Sequence, residues 1–219
     1  MPRLLFEKTG NAVWISHLDL MRLFQRAFKR CRFNLKHTQG FSQRPVVSIA
    51  LPLSVGVESR CELLDFELTG ERVPCEQIRD ALNRSLVDGV RVVSVYDDGR
   101  KIRDLALLDC VVTLEYDNGI PGDAEEGIQA LFARESLIVT KRGKNGPVEQ
   151  DILPMVRSVA VCREDANTLR IRARICCQNP TLNPAQFVAA IERYAPQWMP
   201  DFSKCSREEI FDGEENIFR

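Results

Sequence analysis

The spacing of apolar residues predicts both helices and strands along this chain. Between residues 16 and 31, apolar side chains recur every three or four positions, which predicts a helix with one buried face. Ser16 and Asp19 fit the S-x-x-[DE] capping pattern, so we expect the helix to begin there. Residues 62–69 instead alternate between apolar and polar positions over most of their length, which is typical of a half-buried strand.

The same analysis predicts a repeated order of elements. In the first half we expect strands at 3–8, 12–15, 33–37, 46–51, 62–69 and 90–96, and helices at 16–31 and 74–86. In the second half we expect strands at 105–116, 136–142, 155–162, 168–176 and 205–211, and helices at 123–134 and 183–194. Apart from an accessory strand, each half follows the βαββαβ order. The predicted fold is α+β, a tandem pair of ferredoxin-like units with mainly antiparallel sheets; the alternative is one larger α+β sheet.

A turn over residues 97–100 divides the two halves. We therefore predict a basic N-terminal ferredoxin-like domain at 1–98 and a C-terminal one at 104–219. The acidic tail, 212–219, is expected to be frayed. No apolar run reaches the roughly 20 residues of a membrane helix, and residues 1–11 do not resemble a signal peptide. These features predict a cytoplasmic protein with no membrane partner.

Charge is distributed unevenly although the whole chain carries a net charge of −1. Residues 1–60 contain ten Lys or Arg and three Asp or Glu, a net charge of +7, which leaves −8 for the rest of the chain. A strongly basic end on a nearly neutral protein indicates a surface that binds a polyanion.

The eight cysteines do not form a recognisable metal motif. No CxxC pair occurs, and the only close pair is the adjacent Cys176 and Cys177. We expect free thiols, no metal site and no cofactor.

Two neighbouring segments carry the candidate binding residues. On the predicted helix 16–31, four cations recur at helical spacing, with no acidic residue expected to pair with them: Arg22, Arg26, Lys29 and Arg30. The loop 38–45 offers amides, a flexible glycine, an aromatic ring and a cation: Gln39, Gly40, Phe41 and Arg44. We expect the loop to fold beside the helix, so that both contact phosphates and bases of RNA. The alternatives are a solvated helix face and a tight turn with Phe41 in the core.

His17 is the candidate catalytic residue. It lies at the predicted helix start and could act as a general base. The alternative is a hydrogen-bonding residue that fixes the helix entry. A triad with Ser16 and Asp19 is disfavoured because the cap already accounts for those two residues.

Further arginines and lysines recur in the second half. Arg170, Arg172 and Arg174 alternate and should share one face of a strand, either solvated or extending the basic surface. A cluster at 141–144 is expected at a hairpin tip.

The motifs of the first 65 residues resemble the radical-SAM-linked protein family, a bacterial domain of unknown function. The resemblance rests on Arg3, Phe6, Lys8, Gly10, Ser16-His17-Leu18-Asp19, Arg26-Ala27, Arg30, the run from Thr38 to Pro45, Ser48, Pro52-Leu53, Gly56, Ser59 and Glu62. Where members usually have Asn-Pro-Arg-Pro, this chain has Ser42-Gln43-Arg44-Pro45. The resemblance implies a partner encoded beside, or fused to, a cobalamin-binding radical SAM protein. The chain has no CxxxCxxC motif and so resembles the partner rather than that enzyme.

Together these features lead to three functional hypotheses. The first is an RNA-binding accessory partner, non-catalytic or weakly catalytic, that presents tRNA or rRNA to a radical SAM RNA-modifying enzyme. The second is an RNA-processing enzyme, a nuclease or transferase, that uses His17. The third is a protein-docking adaptor that binds no nucleic acid.

Overall fold

A computed structural model describes residues 1–143 and 146–219. The chain divides into two compact units, Met1–Ile102 together with Arg219, and Arg103–Phe218. Both units combine α-helices with strands that pair in antiparallel fashion, which confirms a mixed α+β fold with a mainly antiparallel sheet. No helix in the described part of the chain is both long and apolar enough to span a membrane.

The N-terminal unit contains four strands and two α-helices. In chain order they are β1 (Arg3–Lys8), α1 (His17–Arg30), β2 (Val47–Ile49), β3 (Glu58–Phe66), α2 (Cys75–Asn83) and β4 (Val90–Tyr96). The strands pair in the order β4-β1-β3-β2, every pair antiparallel. A 3-10 helix, Gly10–Trp14, leads from β1 into α1.

Aromatic packing fixes α1 on this sheet. Phe24 of α1 meets Phe6 of β1 edge to face, with ring centroids 4.8 Å apart. One turn later, Phe28 packs on Phe66 of β3 at 4.9 Å. All four rings are fully buried. Because burial of a phenylalanine contributes about 1.5–3 kcal/mol, these contacts hold one face of α1 inward and leave the other to solvent.

The described residues of the C-terminal unit form six strands and two α-helices. In chain order they are β5 (Leu105–Glu115), α3 (Ala124–Leu131), β6 (Ile138–Gly143), β7 (Gly146–Asp151), β8 (Val156–Arg163), β9 (Thr168–Cys176), α4 (Ala185–Tyr194) and β10 (Phe202–Asp212). Four of the strands pair in the antiparallel order β10-β5-β9-β8. The other two, β6 and β7, pair only with each other.

Three sequence predictions were wrong. Residues 12–15, predicted extended, lie largely in the 3-10 helix, where the amide of Ile15 bonds back to the carbonyl of Ala12. Residues 33–37, predicted as a strand, make only isolated bridges. The tail 212–219 is not frayed, because Phe218 is fully buried and its amide donates to Ile210.

Candidate nucleic-acid interface

The start of α1 is fixed by the predicted cap. The Ser16 hydroxyl accepts a hydrogen bond from the Asp19 amide at 3.2 Å and donates one to the Asp19 carboxylate at 2.7 Å. The Ser16 hydroxyl, followed by the Arg22 guanidinium, lowers the pKa of Asp19 below its ordinary value. A carboxylate in the first turn also complements the helix dipole, so residues 16–19 set where the exposed face of α1 begins.

The four cations of α1 are all exposed, but they differ in what they contact. Arg22 pairs with Asp19 at 3.0 Å, so the expectation that no acid would pair with this row was wrong for Arg22. Arg30 is held by Ser85, which lies 55 positions later in the sequence. Its guanidinium donates to the Ser85 hydroxyl at 2.8 Å and to the Ser85 carbonyl at 2.6 Å. Arg26 and Lys29 form no ion pair with any described acid. Of the four cations on α1, these two are therefore the most available to bind a phosphate.

The loop 38–45 is the tip of a hairpin. His37 bridges Pro45, the Thr38 amide donates to the Arg44 carbonyl at 2.9 Å, and the Arg44 amide returns a bond to the Thr38 hydroxyl at 3.1 Å. Gly40 adopts a φ of +116°, a conformation that side chains with a Cβ rarely take. Because these hydrogen bonds join the two arms of the hairpin, its tip has a defined backbone conformation.

Phe41 lies at the end of the tip with its whole side chain exposed, at 111% of its reference area. The alternative that this ring lies in the core is excluded. Gln39 and Arg44 are exposed beside it. A fully exposed aromatic ring on a closed hairpin is accessible for stacking on a ligand.

The first arm of the hairpin is attached to the sheet. The Lys36 amide donates to the Glu67 carbonyl at 2.8 Å, and the Lys36 ammonium pairs with the Glu67 carboxylate at 2.6 Å. Within the described residues, no hydrogen bond or ion pair joins the loop to the helix. The two predicted segments belong to the same unit.

His17 occupies the first helical position and is half-buried. Its ring makes no hydrogen bond to a described residue, so the structure shows neither an orienting carboxylate nor a bonded nucleophile. Ser16, the neighbouring hydroxyl, is committed to Asp19. A general base normally lies within hydrogen-bond reach of its partner, and this geometry does not favour the enzyme hypothesis.

Two cations counted in the basic N-terminal surface are buried. Arg3 is 3% exposed and forms a bidentate pair with Asp65, at 2.6 and 3.1 Å. Lys8 is 1% exposed and donates to the Val13 carbonyl at 3.0 Å. Counting the basic residues did not predict this role, although a charge at each end of the apolar strand 3–8 was a signal that could have shown it. Both residues hold β1 in place and are unavailable to RNA.

The arginines of β9 share one face of the C-terminal sheet, as predicted, because the residues between them are buried. Arg170 pairs with Glu164 at 2.5 Å. Arg174 forms a bidentate pair with Asp109 and stacks 4.0 Å from the Phe211 ring. Arg172 is exposed and borders a shallow cavity of 330 Å³.

The basic cluster at 141–144 lies at a hairpin tip, as predicted for its first residues, since Lys141 pairs within β6 and β7. The last member, Lys144, lies outside the described residues.

The eight cysteines are free thiols in this structure. Burial raises the pKa of Cys110 to about 12 and that of Cys205 to about 11. The described residues contain no group of three or more His, Cys, Asp or Glu side chains placed to hold a metal ion.

Together, the fold and this surface define a mixed α+β protein of two units with exposed cations and an exposed aromatic hairpin on the first. Residues 2–184 match the model of a family described as uncharacterized protein conserved in bacteria, DUF2344. The chain therefore belongs to this family. No curated protein matches it.

Two solved structures match this chain, and one of them is similar in fold. One is a chain from a Cbf5-Nop10-Gar1 complex, with a TM-score of 0.54 and 9% identity, covering 95% of this chain and 48% of that chain. This protein thus spans about half the length of that chain, and the likeness concerns the fold alone. The other is an unknown protein from Galdieria sulphuraria, with a TM-score of 0.26 and 12% identity, covering 94% of this chain and 96% of that chain.

Proposed function

We propose that this protein binds RNA through its N-terminal unit and acts as a non-catalytic partner of a radical SAM RNA-modifying enzyme. The observation that carries the RNA-binding part is the fully exposed Phe41 ring on a closed hairpin, with Arg44 beside it. Exposed aromatic rings stack on unpaired bases, and neighbouring arginines hold phosphates. The enzyme partner rests on the resemblance of residues 3–62 to radical-SAM-linked proteins.

The chemistry of α1 supports the same proposal. Arg26 and Lys29 are exposed without an acidic partner among the described residues, and Arg30 is preoriented by Ser85. Long cations that lack counter-ions attract a polyanion and release its condensed counter-ions on binding. These residues would hold the RNA backbone, while Phe41 would contact a base.

We also propose that each unit is a ferredoxin-like module. In the N-terminal unit, the order strand-helix-strand-strand-helix-strand and the sheet order β4-β1-β3-β2 support this assignment. In the C-terminal unit, β5, α3, β8, β9, α4 and β10 follow the same order, with the β6–β7 hairpin inserted. An experimental structure of either unit tests it: a different pairing order of these strands contradicts the assignment.

The test of RNA binding is a titration of fluorescently labelled RNAs with the wild type and the Phe41→Ala variant at low salt. Phe41→Ala should weaken binding by about 1–3 kcal/mol, the cost of one lost base stack. Phe202→Ala is the matched control, because Phe202 is an exposed phenylalanine, 58% exposed, of the other unit. Wild-type protein that binds no RNA, or equal losses for both variants, would contradict the proposal. In the first case, the adaptor hypothesis would take its place.

A further inference from the structure

Three large apolar side chains are exposed around the start of α1. Trp14 is 68% exposed, Leu18 66% and Val55 53%. The segment that carries Val55 lies against Trp14, since the Gly56 amide donates to the Val13 carbonyl at 2.9 Å and a methyl group on Gly56 would lie 3.4 Å from Cζ3 of Trp14. The indole is thus supported by backbone at one edge while most of its surface remains open.

This apolar patch continues into the cations of α1. Leu18 is the first member of a row of residues spaced by four, which share one side of a helix: Leu18, Arg22, Arg26 and Arg30. Asp19, the only acid on α1, is already bonded to Ser16 and Arg22. A helix of this length extends about 20 Å, so the exposed indole lies at one end of a basic strip.

The hairpin 37–45 emerges near the C-terminal end of α1. Phe28, in the last turns of α1, packs on Phe66 at the end of β3. Just beyond that contact, Leu35 bridges Leu68 and the hairpin begins. The N-terminal unit therefore presents an exposed aromatic ring near each end of α1, with cations between them.

We propose that the RNA bound here is single-stranded and that Trp14 stacks on one of its bases. This inference rests on the proposed function and specifies its substrate class. In a duplex, the bases stack on one another and offer proteins mainly phosphates and 2′-hydroxyl groups. Two separated aromatic platforms joined by cations fit a strand whose bases are unstacked. Because cations continue the apolar patch along α1, the strip suits a polyanion better than it suits a partner protein with an apolar surface that has few acidic residues.

Tryptophan fluorescence tests the inference directly. The chain contains two tryptophans, and the second, Trp198, lies in the C-terminal unit, where its indole donates to Asp123 at 3.0 Å. The variant Trp198→Phe leaves Trp14 as the sole emitter. We would titrate it with oligouridine and oligoadenosine of about eight nucleotides, within the size range of single-strand sites, and with an RNA duplex of the same length, while labelled RNA reports binding by anisotropy.

The expected result is that single strands quench Trp14 emission along the anisotropy curve, whereas the duplex binds more weakly without quenching. In the same background, Trp14→Ala should weaken single-strand binding roughly five- to a hundredfold. Trp14→Phe should retain most of the affinity, because a phenyl ring can also stack. Thermal melting should be nearly unchanged for both variants, since the side chain is mostly exposed.

Two outcomes separate this inference from the proposed function. If single strands bind without quenching, and Trp14→Ala binds as tightly as its parent, then Trp14 does not stack and the inference is wrong while RNA binding stands. Equal affinity for the duplex would also overturn it. If none of the RNAs binds, the proposed function fails first, and the exposed patch must then be covered by a protein.

Discussion

The buried ion pair between Arg3 and Asp65 allows a quantitative prediction. The two residues lie directly opposite each other on β1 and β3, and their side chains are only 4% and 11% exposed. The variant Arg3→Met removes both hydrogen bonds and leaves the Asp65 carboxylate buried without this counter-ion. Loss of one partner from a buried pair costs about 3–5 kcal/mol. That is a large share of the roughly 5–15 kcal/mol that stabilises a typical domain.

Urea unfolding followed by circular dichroism measures this loss, and amide exchange in β1 and β3 locates it. The control is the double variant Arg3→Met with Asp65→Leu, because replacing both members of a buried pair with apolar residues is often close to neutral. The double variant should therefore recover much of the stability lost by the single one. If the free energy of unfolding of Arg3→Met lies within about 1 kcal/mol of the wild-type value, the range of an exposed pair, the reasoning is refuted. It is also refuted if the double variant is no more stable than Arg3→Met.

Three further predictions concern the cap, the histidine and the thiols. Ser16→Ala should cost about 1 kcal/mol of helix stability. It should also raise the pKa of Asp19 toward its ordinary value, because the Ser16 hydroxyl is the main cause of the lowered pKa, and an NMR titration measures this change. In the wild type, the Asp19 carboxylate stabilises the fold above its ordinary pKa, and this stabilisation is lost as the pH falls below it. His17→Ala should lower thermal stability only slightly, because the half-buried ring makes no hydrogen bond to a described residue, and it should not abolish RNA binding; a folded variant that lost a turnover more than about a hundredfold would support the enzyme hypothesis. Cys110 and Cys205 should resist alkylation in the native protein, because burial raises the pKa of both thiols, and elemental analysis should find no stoichiometric zinc.

Sequence patterns predicted those helices and strands whose formation depends on residues within the same segment. The helix expected at 16–31 is observed at His17–Arg30, because a cap, an apolar stripe and its own hydrogen bonds all lie within the segment. The strand expected at 168–176 is observed at the same residues, because strict alternation identifies a sheet with one buried face. Strand β7 was missed, since its sequence GPVEQD has no such alternation and its partner is the preceding hairpin arm.

Contacts between distant residues could not be predicted from spacing. Arg30 is oriented by Ser85, and Lys36 is neutralised by Glu67, 31 residues away. For the same reason the count of basic residues overestimated the surface charge, since the burial of Arg3 depends on Asp65, which lies 62 positions later. The residue types of the candidate site were therefore predictable, but which cations remain available was not.

The central claim is that a polyanion binds the N-terminal unit through the cations that lack acidic partners. The most direct measurement is the salt dependence of RNA affinity for the wild type and the variant Arg26→Gln with Lys29→Gln. Each lost phosphate contact to a single strand should lower the slope of log K against log salt by about 0.7, and the double variant by about twice that. The matched control, Arg134→Gln with Arg157→Gln, removes two exposed cations of the C-terminal unit and should leave the slope unchanged. A slope that is the same in the wild type and the Arg26/Lys29 variant, or that falls equally in the control, would contradict the claim.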